Sequence, residues 1–270
     1  MPDPSSITAE TLAIEGPDAI AFAQSQFTIA VTAIEQNNWQ FGAWLDAQGR
    51  VRNLFHLARL APDRLLLLLR GGRAAEMKDG LSRFVFRAKL SMHADSSRFI
   101  ATGSALPLHH ARTLEGTVQF GCGDHSLVLS SDGNVDSSWQ SLQVAAGWPW
   151  LPEALLDTCL PPALSLHRLR AVSLEKGCYP GQEIVARLHY RGGNKRQLCR
   201  VGLSQSIPSG TVLNVGDGDM SIQLLDVVSN DLAVEALALC HSDFATAHKP
   251  LPASHAGQPI AVEWLETWPA

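Results

Sequence analysis

Apolar and polar positions change their period along the chain, and the changes mark its elements. Leu12, Ala13 and Ile14 form a short apolar run that reads as a strand. Gly16-Pro17-Asp18 makes a turn with proline near a helix start, and Ile20, Phe22, Ala23 and Phe27 then recur at helical spacing. Trp39 to Leu60 reads as two extended runs joined by the turn-rich Asp46-Ala47-Gln48-Gly49. Arg64 to Leu69 predicts a buried strand. Beyond Gly71-Gly72, the residues Ala75, Met77, Leu81 and Phe84 form the apolar face of an amphipathic stretch. Lys89 to His93 and Phe99 to Thr102 predict two more strands, and Ser104 to Arg112 a helix. Ser126 to Ser130 follows as a strand, Ser131-Asp132-Gly133-Asn134 as a turn, and Trp139 to Ala145 as another strand.

Strands and short helices are thus mixed without the regular beat of a doubly wound sheet, so the fold class is α+β. The texture changes after Arg191-Gly192-Gly193-Asn194-Lys195. Leu198 to Leu203, Thr211 to Val215, Ser221 to Val228, Leu232 to Cys240 and Pro259 to Trp264 read as short strands between Gly, Pro, Asp and Ser turns. That spacing suggests a small β-barrel, with Gly192-Gly193 as the hinge before it.

Composition narrows the picture. The chain has 270 residues, enough for two or three small cores, with 46% apolar and 17% charged residues, as in a folded protein. Its net charge of −5 argues against tRNA as a directly held ligand. The apolar block Leu65 to Leu69, closed by Arg64 and Arg70, is far short of the about 20 residues a bilayer requires. Met1-Pro2-Asp3-Pro4-Ser5-Ser6 has no basic residue and no apolar core, unlike a signal peptide. Five widely spaced cysteines, Cys122, Cys159, Cys178, Cys199 and Cys240, suit free thiols in a reducing compartment. The expected location is the cytoplasm.

The chemistry concentrates in Leu174-Glu175-Lys176-Gly177-Cys178-Tyr179-Pro180-Gly181-Gln182-Glu183-Ile184-Val185-Ala186-Arg187. Thiol, ammonium, phenol, amide and two carboxylates stand among glycines that let a backbone turn tightly or approach a ligand. Pro180 stiffens the loop, and a helix or strand begins at Gln182. Lys176 lies two residues before Cys178, and a nearby cation stabilises a thiolate and raises its reactivity. The alternative is that Cys178 is a small buried hydrophobe, as most free cysteines are.

Lys176-Gly177-Cys178-Tyr179-Pro180-Gly181-Gln182-Glu183 resembles the K-G-C-Y-x-G-Q-E signature of the YgfZ-type folate-binding proteins, relatives of the glycine-cleavage T-protein. Arg191 to Arg196 resembles the family's R-G-x-N-K-R, and Trp139 with Ala146-Gly147-Trp148-Pro149 its W…A-G-x-P segment. Pro161 to Leu166 is similar to P-x-x-x-N-L, and Asp46 to Arg50 to the D-x-x-G-K/R turn. Ser165 stands where the family usually has Asn, and Gln143 and Ala145 where Arg and Glu are common.

The resemblance implies a T-protein-like arrangement of two α+β lobes and a C-terminal β-barrel around a central folate pocket. Residues 1–43 and 99–190 would form a discontinuous first lobe, 44–98 the second, and 191–270 the barrel. It also implies tetrahydrofolate as ligand and a role in keeping iron–sulfur enzymes functional, including one that thiomethylates tRNA. The partners would then be folate and iron–sulfur client or assembly proteins. Cys178 would be the reactive group with Lys176 as its electrostatic partner, and Trp139, Tyr179, Gln182, Glu183 and Arg187 would contact the ligand.

A T-protein orients its reacting amine with an acidic residue in a G-x-x-D-D-L-like turn. Here Gly49-Arg50-Val51-Arg52-Asn53-Leu54 puts Arg52 and Asn53 in place of the two carboxylates. A cation and a neutral amide supply neither base nor counter-charge, which disfavours aminomethyl transfer by that route. Three functions compete: a folate-binding accessory factor of iron–sulfur metabolism, a folate-dependent one-carbon transferase or demethylase, and a binding protein that keeps the pocket as a relic.

Other features are weaker. Trp139 either stacks on the pterin or packs in the core, and Glu183 either accepts from the pterin N–H edge or is a surface charge. Arg187, Arg191, Lys195, Arg196 and Arg200 suit a folate polyglutamate tail, an acidic partner or tRNA, or else form a solvated linker. Cys122-Gly123-Asp124-His125 has C-x-x-H spacing without a second ligand pair and reads as a surface turn rather than a zinc site. Gly216-Asp217-Gly218-Asp219 reads as a hairpin turn rather than a calcium loop.

Overall fold

The computed structural model describes residues 7–133, 135–215, 220–230, 233–242 and 251–269. Strand β1 (Thr8–Glu15) leads into helix α1 (Ala19–Gln26), then strands β2 (Asn38–Leu45), β3 (Val51–Ala61) and β4 (Arg64–Leu69) and helix α2 (Ala74–Ser82). Strands β5 (Ser91–Gly103), β6 (Ala111–Leu114), β7 (Thr117–Gly121) and β8 (Ser126–Ser130) complete a sheet of eight strands in the order β2-β3-β4-β1-β5-β8-β7-β6. The sheet curls until its ends meet, where Asn38 bridges His110.

Both faces of this sheet are covered, which explains the uninterrupted leucines of β4. Leu65, Leu67 and Leu69 pack with α1 and α2, whereas Leu66 and Leu68 face the opposite core. A strand buried on both sides reads as a continuous apolar run. Each buried leucine contributes roughly 1.5–3 kcal/mol of transfer free energy.

Helix α3 (Trp139–Ala145) and two 3-10 turns, Glu153–Leu155 and Pro161–Leu164, lead to helix α4 (Gln182–Arg191). The remaining strands are β9 (Arg196–Leu203), β10 (Val212–Val215), β11 (Met220–Ser229), β12 (Val234–His241), β13 (Leu251–His255) and β14 (Gln258–Trp268). They close a barrel in the order β10-β11-β12-β9-β14-β13. Cys199, Val201, Ile222, Leu224 and Val262 fill its interior, while Leu198, Leu225, Leu237 and Leu239 face outward into the core shared with the sheet. The α+β class and the C-terminal barrel are as the sequence implies.

Several elements differ from expectation. Trp139–Ala145 is a helix and not a strand: Trp139, Gln143 and Val144 are its buried residues, and its first N–H is accepted by Thr102 Oγ1 at 2.8 Å. That cap is tertiary, so no local signal announces it. The two strands expected around residues 89–102 are one, because a register shift between Ala9 and Thr11 of β1 absorbs the polar stretch Asp95-Ser96-Ser97. Ser104 to Arg112 is not a helix: His109 is left-handed at φ 66°, and β6 begins at Ala111. The hairpin β6–β7 and strand β13 are additional to the expected elements. On α2 it is Ala74, not Ala75, that joins Met77 and Leu81 in the core, and Phe84 is exposed. The Cys122–His125 turn exists, but its cysteine and histidine are buried rather than on the surface. Residues 1–6, Asn134, Leu232 and Gly216-Asp217-Gly218-Asp219 lie outside the described residues.

Candidate functional site

The segment Leu174 to Gly181 reaches α4 without regular structure and is held by its own side chains. Lys176 turns inward, and its ammonium donates to the carbonyls of Gln24, Phe27 (2.5 Å) and Ile29 (3.0 Å). Three donors meet three acceptors, at the end of α1 where the last carbonyls lack helical partners. The ammonium also lies 5.1 Å from the centre of the Tyr179 ring. Burial lowers Lys176 to about 8, so at neutral pH it keeps its proton and all three bonds. Tyr179 is buried beside it, its hydroxyl has no partner among the described residues, and burial raises it to about 12.

With Lys176 and Tyr179 drawn in, Cys178 between them is pushed out. It is the exposed cysteine of the five; Cys122, Cys159, Cys199 and Cys240 are buried. Gln182, the first residue of α4, closes the loop: its N–H donates to Tyr179 O at 3.2 Å and its Nε2 to Lys176 O at 3.5 Å.

Gly181 joins this loop to the Asp46–Arg50 turn. Its φ is +77°, and a Cβ there would stand 2.6 Å from Asp46 O and 2.7 Å from Gly49 Cα, so the two backbones approach as only glycine permits. The turn is fixed by Asp46, whose Oδ1 accepts the N–H groups of Gln48 (2.9 Å) and Arg50 (2.8 Å). Two motifs about 130 residues apart in the chain are therefore one structural unit.

Between this turn and α4 runs a groove of about 560 Å³, lined by Gln48, Arg50, Thr158, Leu160, Ile184, Arg187 and Leu188 together with Gly192 and Gly193. Its leucines and isoleucine suit a flat apolar body and its two arginines an anionic tail. The volume lies within the ordinary range for ligand sites. By that test the residues present fit a folate. Glu183 faces a second groove of about 470 Å³ on the other flank of α4, with Ala186, Tyr190 and Arg191; Ile184 and Arg187 border both.

Trp139 stands apart from both grooves. It is 1% exposed, donates from Nε1 to Ile100 O at 3.1 Å, and packs on Trp150 with ring centres 5.2 Å apart. Of the predicted residues, the structure gathers Lys176, Cys178, Tyr179, Gln182, Glu183 and Arg187 on one loop and helix and leaves Trp139 in the core. Arg52 pairs with Asp157 at 3.3 Å and covers the Trp44 ring at 4.5 Å, while the buried Asn53 packs against Gly72. Neither position carries an acid.

Sequence reading missed a second polar centre. Arg70, fully buried, donates to Pro149 O (2.9 Å), Trp148 O (2.6 Å) and Gln143 Oε1 (2.7 Å), and contacts His56 Nε2 at 3.4 Å. Gln143 Nε2 in turn lies 3.1 Å from His125 Nε2, whose Nδ1 is 2.7 Å from Asp124. The signal was present in an arginine that ends a run of five leucines, a position a solvated residue would not hold. Burial lowers Arg70 to about 10, and pushes Cys122 up to about 12. Among the described residues, no group of three or more His, Cys, Asp or Glu is placed to hold a metal ion, and no helix is long and apolar enough to cross a membrane.

No family model matches the chain. It is similar to curated proteins called tRNA-modifying protein YgfZ. That of Shigella boydii is 26% identical over 295 residues, 89% of this chain and 90% of that one. That of Sodalis glossinidius is 27% identical over 296 residues, covering 88% and 89%. That of Edwardsiella ictaluri is 26% identical over 284 residues, covering 85% of each. Among solved structures, the glycine cleavage system aminomethyltransferase T of Bartonella henselae matches with a TM-score of 0.74 over 96% of this chain and 83% of its own, at 16% identity. The fold is therefore that of a glycine-cleavage T-protein.

Proposed function

We propose that this chain is a tetrahydrofolate-binding accessory factor of tRNA modification, which supports iron–sulfur enzymes through the thiol of Cys178. The name carried by its relatives over nearly their whole length and the T-protein fold support the folate and tRNA parts of this reading. The observation that carries the thiol part is the exposure of Cys178 on a loop clamped by Lys176.

The residues divide the work as follows. Lys176 locks the loop to the end of α1 and so holds Cys178 out in solvent, where its sulfur is accessible as a nucleophile or metal ligand. Arg187 and Arg50 hold the anionic tail of the folate in the groove, and Ile184, Leu188 and Leu160 exclude water from its body. Gln182 and Glu183 offer an amide and a carboxylate at the start of α4 for polar edges of the ligand. Tetrahydrofolate supplies a carrier for one-carbon units. The alternative, a folate-dependent transferase or demethylase, lacks support at Arg52 and Asn53, which carry no base.

The test replaces Cys178 by Ala in cells and measures methylthio-modified tRNA together with iron–sulfur enzyme activities. A severalfold loss with unchanged protein level is expected. Unchanged modification and activities contradict the accessory role.

A further inference from the structure

Net charge describes the whole chain, and the structure separates that charge in space. Residues 184 to 216 contain no Asp or Glu, although the molecule carries −5 overall. Arg191, Lys195 and Arg196 from this stretch are exposed and make no ion pair among the described residues, whereas Arg200 is engaged by Glu235 at 3.8 Å. Arg191 ends α4 and Arg196 begins β9, with Gly192 and Gly193 of the groove wall between them. Glu183, one turn before Arg187, is the acid on the same helix.

An aromatic ring stands among these cations. Tyr190 is 77% exposed, one residue before Arg191, and His189 steadies it in a T-shaped contact at 5.1 Å and 83°. Tyr190 lines the second groove of α4 together with Arg191, so the ring and this cation present one surface. Base stacking on an aromatic face beside Arg and Lys is how proteins hold single-stranded nucleic acid. An acidic peptide would satisfy the cations and leave the protruding ring without a pocket to fill.

We propose that the C-terminal end of α4 and the start of β9 form a contact surface for single-stranded RNA, with Tyr190 stacking on a base and Arg191, Lys195 and Arg196 on phosphates. This goes beyond the accessory role proposed above: the chain would touch the RNA directly instead of acting only on the enzymes that modify it. Arg187 remains with the folate groove. Three phosphate contacts predict a slope of log affinity against log salt of about −2, and the affinity is on the order of 10 µM at moderate salt.

The experiment is fluorescence anisotropy of the full chain, without folate, against a labelled unmodified tRNA transcript and a short single-stranded RNA. Tyr190→Ala is expected to weaken binding about tenfold, and Tyr190→Trp to retain it. Arg191→Ser with Lys195→Ser flattens the salt slope, and thermal unfolding checks that each variant is folded. The proposal is overturned if the chain binds neither RNA at low salt, or if Tyr190→Ala binds as well as native. It is equally overturned if poly-glutamate competes as well as RNA, which would assign the face to an acidic protein. Because no folate is present, failure here leaves the folate reading standing, and failure of folate binding leaves this one standing.

Discussion

His56 shows how far a single buried group can shape the pH response of the molecule. It is fully buried among Trp39, Phe41, Phe120 and Trp148, with Arg70 Nη1 3.4 Å from its Nε2. A guanidinium only donates, so Nε2 accepts and the ring proton sits on Nδ1. Burial, and then Arg70, hold this imidazole well below its ordinary 6.5. As the pH falls below 6.5 the unfolded chain takes up a proton there and the folded chain does not. The unfolded state then binds more protons, so stability is present above pH 6.5 and lost below it, at up to about 1.4 kcal/mol per pH unit. Burial moves His109 and His167 in the same direction. Asp226, raised by burial to about 6 against the pull of Arg70, acts oppositely between about pH 4 and 6, since there the folded state holds the extra proton. Urea unfolding at pH 7 and pH 5 is expected to show a loss, and His56→Gln, which keeps an acceptor for Arg70, a smaller one by about 2 kcal/mol. Equal losses in both proteins would show that His56 does not set the slope.

Between elements, the decisive contact is Gly181 against the Asp46–Arg50 turn. Gly181→Ala places a methyl group 2.6 Å from Asp46 O on a backbone at φ +77°, so strain and clash add. A loss of about 2 kcal/mol or more is expected in denaturant unfolding, with faster alkylation of Cys178 as its loop loosens. Wild-type stability in this variant would mean that turn and helix are not joined there. This junction also shows what a sequence can carry. Asp46-Ala47-Gln48-Gly49 is legible as a turn and Gln182 as a helix start, because turn chemistry and proline are local. That Gly181 and Gly49 touch is a tertiary fact. The same holds for α3, whose Trp139 and Val144 favour a strand by local preference until Thr102 caps the first turn. Of the site, Lys176 and Cys178 were legible as neighbours, whereas the three carbonyls that receive the ammonium come from residues about 150 positions away. Arg70 went unread because its partners lie on α3 and the loop after it.

Across the whole molecule, the barrel is tied back to the sheet by its last strand. Trp268 packs against Gly147, where an added Cβ would lie 2.5 Å from the ring, and Arg168 covers that ring at 5.0 Å. Ser165, left-handed at φ 51°, brings its hydroxyl to within 2.8 Å of Pro269 O. Serine holds that conformation here through its hydrogen bonds to the carbonyls of Trp268 and Pro269. Gly192 and Gly193, between α4 and the barrel, form part of the wall of the α4 groove. This groove is the proposed folate site. Isothermal titration calorimetry of the full chain with tetrahydrofolate tests it most directly, using native protein, Arg187→Ser and Cys178→Ala. Saturable binding is predicted for the native chain and for Cys178→Ala, with affinity about fivefold weaker in Arg187→Ser because one charged contact to the tail is gone. No heat of binding in the native chain, or equal affinity in Arg187→Ser, would contradict it.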